Sequence, residues 1–211
     1  IIFIAIDDLR PELGCYGSPI VKSPNLDKLA REGRMFNRAY CQQSICSPSR
    51  ASLMTGARPD EIGIIENRAY FRDLNPDIVT LPQHFIKNGY EAVYCGKIYH
   101  GRMTDEKHSW SRSAAWKKFP FKERPKPYGL QKNLDLLSEN RIKMTEKYGE
   151  EGSRGLVHGP AYESADVPDD YFVDGFSTQL AIVTLQDHLK KKPNQPLFLA
   201  LGFTKPHLNF V

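Results

Sequence analysis

The sequence has no long apolar run. Its longest, residues 1–6 and 197–201, fall far short of the ~20 residues a membrane-crossing helix needs, so no membrane span is expected. Cysteine is scarce: Cys15, Cys41, Cys46 and Cys95 are the four in 211 residues, and none form a Cys-x-x-Cys pair. Neither a disulfide scaffold nor a zinc knuckle is encoded. Fifteen glycines and fifteen prolines are too few for a collagenous or low-complexity chain. Charge of one sign is also in short supply, with 29 Lys and Arg against 25 Asp and Glu leaving a net +4. That excess fits mild attraction to polyanions, and no nucleic-acid partner is expected from it. What is present is 40% hydrophobic, 11% aromatic and 26% charged residues, the balance of a folded domain with length enough to bury a core. Residue 1 opens inside an apolar run without an initiator methionine, and Asn209-Phe210-Val211 ends without a polar tail. Both ends read as cut.

Hydrophobic patterning supplies the elements. Residues 1–6, continuously apolar and β-branched, read as a strand buried on both faces of a parallel sheet. Ser23-Pro24-Asn25 starts a short helix with Leu26, Leu29 and Ala30 on one face, closed by Gly33. Residues 48–54 form another, capped by Ser47 or a neighbour and stopped by Gly56. Thr80 caps a helix over 81–88 before Gly89, and 91–95 is a strand leading into Gly96-Lys97. Between 101 and 165 the pattern breaks. Pro120, Pro125 and Pro127 interrupt a basic, aromatic stretch, only 134–148 reads as helix, and the region is taken as an irregular insertion. Residues 173–191 form a helix with Phe176, Leu180, Val183 and Ala181, Leu185, Leu189 at helical spacing, followed by a strand at 197–201. Strands alternating with helices predict an α/β fold, a mainly parallel central sheet flanked by helices. Ligands collect at strand carboxyl ends in such sheets. That rule selects Asp7-Asp8, Lys97-Ile98-Tyr99-His100 and Lys205-Pro206-His207.

Asp7-Asp8 reads either as a solvated turn or as the oxygen donors of a hard cation, calcium or magnesium, which offsets the repulsion of adjacent carboxylates. Cys46-Ser47-Pro48-Ser49-Arg50 reads either as a capped turn with an inert thiol or as a nucleophile at a helix N-terminus. There the dipole favours an anion, and Arg50 is one turn along.

Cys46-Ser47-Pro48-Ser49-Arg50 with Leu53-Met54-Thr55-Gly56, together with Gly89-Tyr90 through Gly96-Lys97, resembles the two signatures of type I sulfatases. Asp7-Asp8-Leu9-Arg10-Pro11, Leu13-Gly14-Cys15-Tyr16-Gly17, Ser23-Pro24-Asn25, Gly96-Lys97-Ile98-Tyr99-His100 and Gly202-Phe203-Thr204-Lys205-Pro206-His207 look like the iduronate-2-sulfatase branch. The resemblance fades over 101–165. It implies an alkaline-phosphatase-like sulfatase fold, of which residues 1–211 would be the N-terminal part of the catalytic domain. It also implies that Cys46 is converted to formylglycine (3-oxoalanine) by a formylglycine-generating or anaerobic sulfatase-maturating enzyme. Asp7 and Asp8, with an oxygen of the modified Cys46, would bind Ca2+. Arg50 would steady the aldehyde hydrate, Lys97 would bridge hydrate and sulfate, His100 would be the base, and His207 would meet the ester near its leaving oxygen. Lys205 takes no assigned role. Further metal ligands and a second active-site lysine would lie beyond this segment.

The implied reaction is hydrolysis of a sulfate ester on a sugar, a 2-O-sulfated uronate of a glycosaminoglycan or algal polysaccharide, by an exported (periplasmic, extracellular or lysosomal) protein. Two alternatives stand beside it: a phosphodiesterase or phosphonate hydrolase of the same fold, and a glycan-binding pseudosulfatase with unmodified Cys46. His84, His108, His158 and His188 have no spaced partner and read as surface or satisfied core positions. Cys15, Cys41 and Cys95 read as packing thiols, with a Cys41 bridge left open. Lys117, Lys118, Lys122, Arg124, Lys126 and Lys132, interleaved with Trp116, Phe119, Phe121 and Tyr128, read as a glycan grip or a solvated loop.

Overall fold

The structure, a computed structural model, describes residues 1–101, 103–114 and 125–211. Trp116, Lys117, Lys118, Phe119, Phe121, Lys122 and Arg124, the centre of the basic aromatic stretch, lie outside them. In chain order the elements are β1 (Ile2–Ile6), α1 (Pro24–Glu32), α2 (Cys46–Thr55), α3 (Pro59–Ile62), α4 (Phe71–Leu74), α5 (Leu81–Lys87) and β2 (Glu91–Gly96). They continue as α6 (Glu106–Ser109), β3 (Arg112–Ser113), α7 (Gln131–Gly152), α8 (Val173–Lys191) and β4 (Leu197–Phe203). The strands form one sheet in the order β1-β4-β2-β3, and every pairing is parallel.

Alternation along the central strands builds two cores. Ala92, Phe198 and Ala200 face a cluster with Ala51, Met54, Ile62 and Phe71 from the α2 to α4 region. Val93, Cys95, Leu197, Leu199 and Leu201 face Leu180 and Ala181 of α8. Successive side chains point to opposite faces, so a strand covered on both sides must be apolar throughout, as β4 is. The result is helices on both faces of a parallel sheet, as the strand and helix alternation predicts.

Three expectations change. β1 lies at the end of the strand order, and Ile2 and Ile4 are 58% and 49% exposed, so it is not buried on both faces. Among the described residues it pairs only with β4, and composition cannot reveal which strand becomes an edge. The buried stripe of α8 is Phe176, Ser177, Leu180, Ala181, Thr184 and His188, while Leu189 is exposed. The stripe turns because buried Glu91 accepts from the His188 ring (Nδ1 to Oε2, 2.6 Å), which makes a histidine a satisfied core residue. The 101–165 stretch is only partly irregular. It contains α6, the long α7 and β3, whose Arg112 and Ser113 sit in register with Val93 and Tyr94.

Candidate active site

The register makes the carboxyl ends of β1, β4 and β2 level, with Ile6 opposite Phe203 and Gly96 opposite Gly202. The Asp7 amide donates to the Phe203 carbonyl (3.1 Å), and the Lys97 amide to that of Gly202 (2.9 Å). Both glycines are required: a Cβ on Gly202 would overlap the Lys97 carbonyl, and Gly96 has a φ of 72° with the Gly202 carbonyl in its path. The three segments selected from the sequence thus meet on one edge.

Helix α2 brings Cys46 there. It begins at Cys46, not at Pro48, with extended Ile45 as N-cap. Pro48 sits in the first turn, where its missing N–H costs nothing. Ser47 is not the cap. Its amide instead donates to the Asn67 side-chain oxygen (3.0 Å), a partner from another segment that nothing in the local sequence signals. Gly56 ends the helix in the left-handed conformation, as expected.

Around Cys46 the charges interlock. Asp7 and Arg50 are 5% and 6% exposed. The Arg50 guanidinium donates to Asp7 Oδ1 from Nε (3.3 Å) and from its second terminal nitrogen (3.0 Å). Its other terminal nitrogen donates to the carbonyls of Lys97 (2.5 Å) and Ile98 (2.9 Å). Arg50 therefore staples the ends of β1 and β2 to α2. Asp7 Oδ2 receives the Lys97 ammonium and the Cys46 thiol, with Sγ at 3.7 Å. Lys97 Nζ lies 3.9 Å from the same sulfur. Burial opposes ionisation of Asp7, but the Lys97 hydrogen bond and the Arg50 charge outweigh it and hold the carboxyl below its ordinary range. Burial, then repulsion from Asp7 and Asp8, pushes the Cys46 thiol up despite Lys97.

The two histidines differ. His100 is half-buried, and its Nδ1 is enclosed with no hydrogen-bond partner among the described residues. Burial, then the Lys97 charge, pushes its pKa down, so the neutral ring that can accept a proton is favoured. His207 sits at the rim. Its Nδ1 faces the Leu208 carbonyl (2.7 Å) and its Nε2 faces Asp8 Oδ2 (3.8 Å). Asp8, at φ 55°, holds a largely exposed carboxylate at the same rim. Lys205 spends its ammonium on its own loop, at the His207 carbonyl (3.2 Å) and the Asn209 side chain (3.2 Å).

Sequence reasoning missed the residues that hold these loops. Asp174, in the first turn of α8, accepts the amides of Thr204 (2.8 Å) and Lys205 (2.7 Å). An acid at a helix start was its available signal. The loop after β2 is held by Tyr99, whose hydroxyl meets Ser109 (3.0 Å). Ser109 in turn donates to Asp105 (2.5 Å), which is paired with Arg72 (2.7 Å). Residues 33 positions apart leave no local pattern.

The carboxylates of Asp7 and Asp8 are hard oxygen donors at one strand end, the chemistry a calcium ion takes. An oxygen on residue 46 would add a third donor, fewer than the six to eight such an ion uses. The donor set therefore fits part of a calcium shell. Beside Asp8 and Lys205 opens a cavity of about 870 Å³, lined also by Leu9, Leu13, Val21 and Phe203.

The parallel sheet between helix layers is of the alkaline-phosphatase-like class, and an acid, two cations and a helix-borne cysteine gather at its strand ends. A structure solved in complex with its substrate D-glucosamine-2-N,6-O-disulfate shares the fold, with a TM-score of 0.60 at 21% identity over 98% of this chain and 34% of that one. So does the phosphonate monoester hydrolase of Agrobacterium radiobacter, at 0.61 and 19% over 98% and 40%. Within that class the chain belongs to the sulfatase family, whose model, Sulfatase, matches residues 1–210. The iduronate 2-sulfatase of Mus musculus is 35% identical over 213 residues, covering 100% of this chain and 35% of that protein. The likeness bears out the branch read from the motifs. The chain thus spans about a third of the length of this relative.

Proposed function

We propose that this chain carries the ester-cleaving centre of a sulfuric ester hydrolase acting on a sulfated sugar, a 2-O-sulfated uronate of a glycosaminoglycan or algal polysaccharide. The observation that carries the reading is Cys46 in the first turn of α2, with Sγ 3.7 Å from Asp7 and 3.9 Å from Lys97. Sulfatase family membership supports the reaction, and 35% identity to an iduronate 2-sulfatase supports the sugar. The shared fold with a phosphonate monoester hydrolase rests on 19% identity and does not favour the phosphorus ester over the sulfur one.

The thiol is held protonated by burial and by Asp7 and Asp8, which makes it a poor nucleophile at neutral pH. Conversion of Cys46 to formylglycine supplies a nucleophilic oxygen in its place. The remaining work falls to the chain. The α2 N-terminus and the Lys97 ammonium favour the negative oxygens of the sulfate. Arg50 acts by fixing Asp7 and the Lys97–Ile98 backbone, since its guanidinium already bonds them. His100, kept neutral, takes a proton from the nucleophile side, and His207 hands one to the departing alcohol. Asp7 and Asp8 would hold a calcium ion, which contributes fixed positive charge. Its remaining ligands and a second lysine would come from sequence beyond residue 211, with 1–211 forming the N-terminal part of the catalytic domain. A formylglycine-generating or anaerobic maturating enzyme is the partner this reading requires, and export is the setting its substrate supports.

Mass spectrometry of the residue 46 peptide, from protein made in its native host, tests the reading: the aldehyde is expected, and free thiol alone would sink it. Turnover of a 2-O-sulfated uronate against an aryl phosphodiester by the full-length protein separates the two ester classes.

A further inference from the structure

We propose that in its unconverted form this site binds a borderline-soft divalent cation of the zinc class, through Cys46 Sγ, Asp7 Oδ2 and His207 Nε2. Among the described residues Asp7, Cys46 and His207 form the one group of three metal-capable side chains whose donor atoms all lie within 4.8 Å of one another. A mixed sulfur, nitrogen and oxygen set suits zinc, whereas calcium takes oxygen alone. The spacing agrees. With the usual zinc to sulfur and zinc to oxygen lengths, a tetrahedral site puts those two atoms about 3.5 Å apart, and Sγ and Oδ2 stand 3.7 Å apart.

His207 is oriented for the task. Its Nδ1 faces the Leu208 carbonyl at 2.7 Å, the contact that fixes a metal-binding tautomer and leaves the Nε2 lone pair free. Nε2 points toward Asp8 Oδ2, 3.8 Å away, a carboxylate that stands outside the group of three. Closing the trio requires an inward shift of the His207 ring, whose side chain is 40% exposed on a loop. The position already holds positive charge, because the Lys97 ammonium rests on Asp7 Oδ2 beside the sulfur. A divalent ion would displace that ammonium. On binding, the Cys46 S–H bond breaks, an S–metal bond forms, and the proton passes to buffer. A cation held there would occupy the thiol that conversion must reach.

Cobalt(II) is the probe. One equivalent added to the reduced, unconverted protein is expected to give a thiolate-to-cobalt charge-transfer band that zinc displaces. Cys46→Ser abolishes the band, Cys41→Ser leaves it intact, and His207→Ala weakens binding at least about tenfold, the scale that loss of a second-shell contact alone reaches. On unmutated protein, equimolar zinc is expected to slow alkylation of Cys46, read from its peptide by mass spectrometry, more than that of exposed Cys41. Absence of the band, its survival in Cys46→Ser, or a Cys46 alkylation rate indifferent to zinc each overturns the proposal. The inference concerns the thiol, so those results leave the sulfatase reading standing. Free thiol alone in native-host protein would sink that reading and leave the metal site.

Discussion

Replacing Arg50 with Met keeps an apolar stem in the core but removes the guanidinium. Of its two cations Asp7 then retains Lys97, whose side chain is 18% exposed, and the carbonyls of Lys97 and Ile98 lose their shared donor. Breaking a buried pair by deleting one partner costs about 3–5 kcal/mol. Lys97 still compensates Asp7, and water can reach a site next to the cavity, so the lower end applies: Arg50→Met should cost about 3 kcal/mol. Urea unfolding reads this as a lowered midpoint with an unchanged slope. The pH dependence provides a second check. The Asp7 carboxyl is held below its ordinary value of 3.8, so its ionised form stabilises the fold. That contribution is full above 3.8 and is lost as pH falls through the lower folded value. The gap between wild type and Arg50→Met should therefore be flat from neutrality down to about pH 4 and narrow only below it. A loss under about 1 kcal/mol, the scale of an exposed ion pair, or a gap that closes above pH 5, would refute the view of Arg50 as a buried staple.

Three further outcomes follow from the same geometry. In the full-length enzyme His100→Ala should lower kcat by about 10²–10⁴-fold. The acid limb of the wild-type pH profile should fall below the ordinary histidine value of 6.5 because burial favours the neutral ring; a midpoint above 6.5 contradicts this. Asp174→Ala frees the amides of Thr204 and Lys205, so their hydrogen exchange should accelerate while amides of β2 keep their protection. Equal rates in mutant and wild type would show that the carboxylate does not hold the His207 loop. Gly202→Ala places a methyl group on the Lys97 carbonyl and should cost about 1–3 kcal/mol or more, as overpacking does, with a thermal melt as the measure; an unchanged melting temperature would contradict the close approach.

Much of the site was legible because its signals are local. Asp7-Asp8, Lys97 to His100 and Lys205 to His207 each follow a strand directly, so identifying the strand places them at a ligand-facing edge. Cys46 and Arg50 are four residues apart on one helix, which fixes their common face. Their individual duties were less legible. Arg50 could be read as a group for developing charge, yet its guanidinium meets Asp7 and two backbone carbonyls. Pairing over 43 positions depends on strand register, which local spacing does not contain.

The sequence by itself determined the strands and helices, the parallel α/β class, the family, and which segments carry chemistry, because these depend on periodicity and short motifs. Only the tertiary structure decided that Ile2 and Ile4 of β1 lie exposed at a sheet edge, that Asn67 rather than Ser47 meets the start of α2, and that His188 is a core residue bound to Glu91. It also decided that Asp7 and Asp8, adjacent in the chain, part ways, one buried between two cations and the other facing His207 at the rim. Asp8 follows the strand at a φ of 55°, so the chain turns between the two residues, and neighbours in sequence become residents of different environments once the sheet is paired.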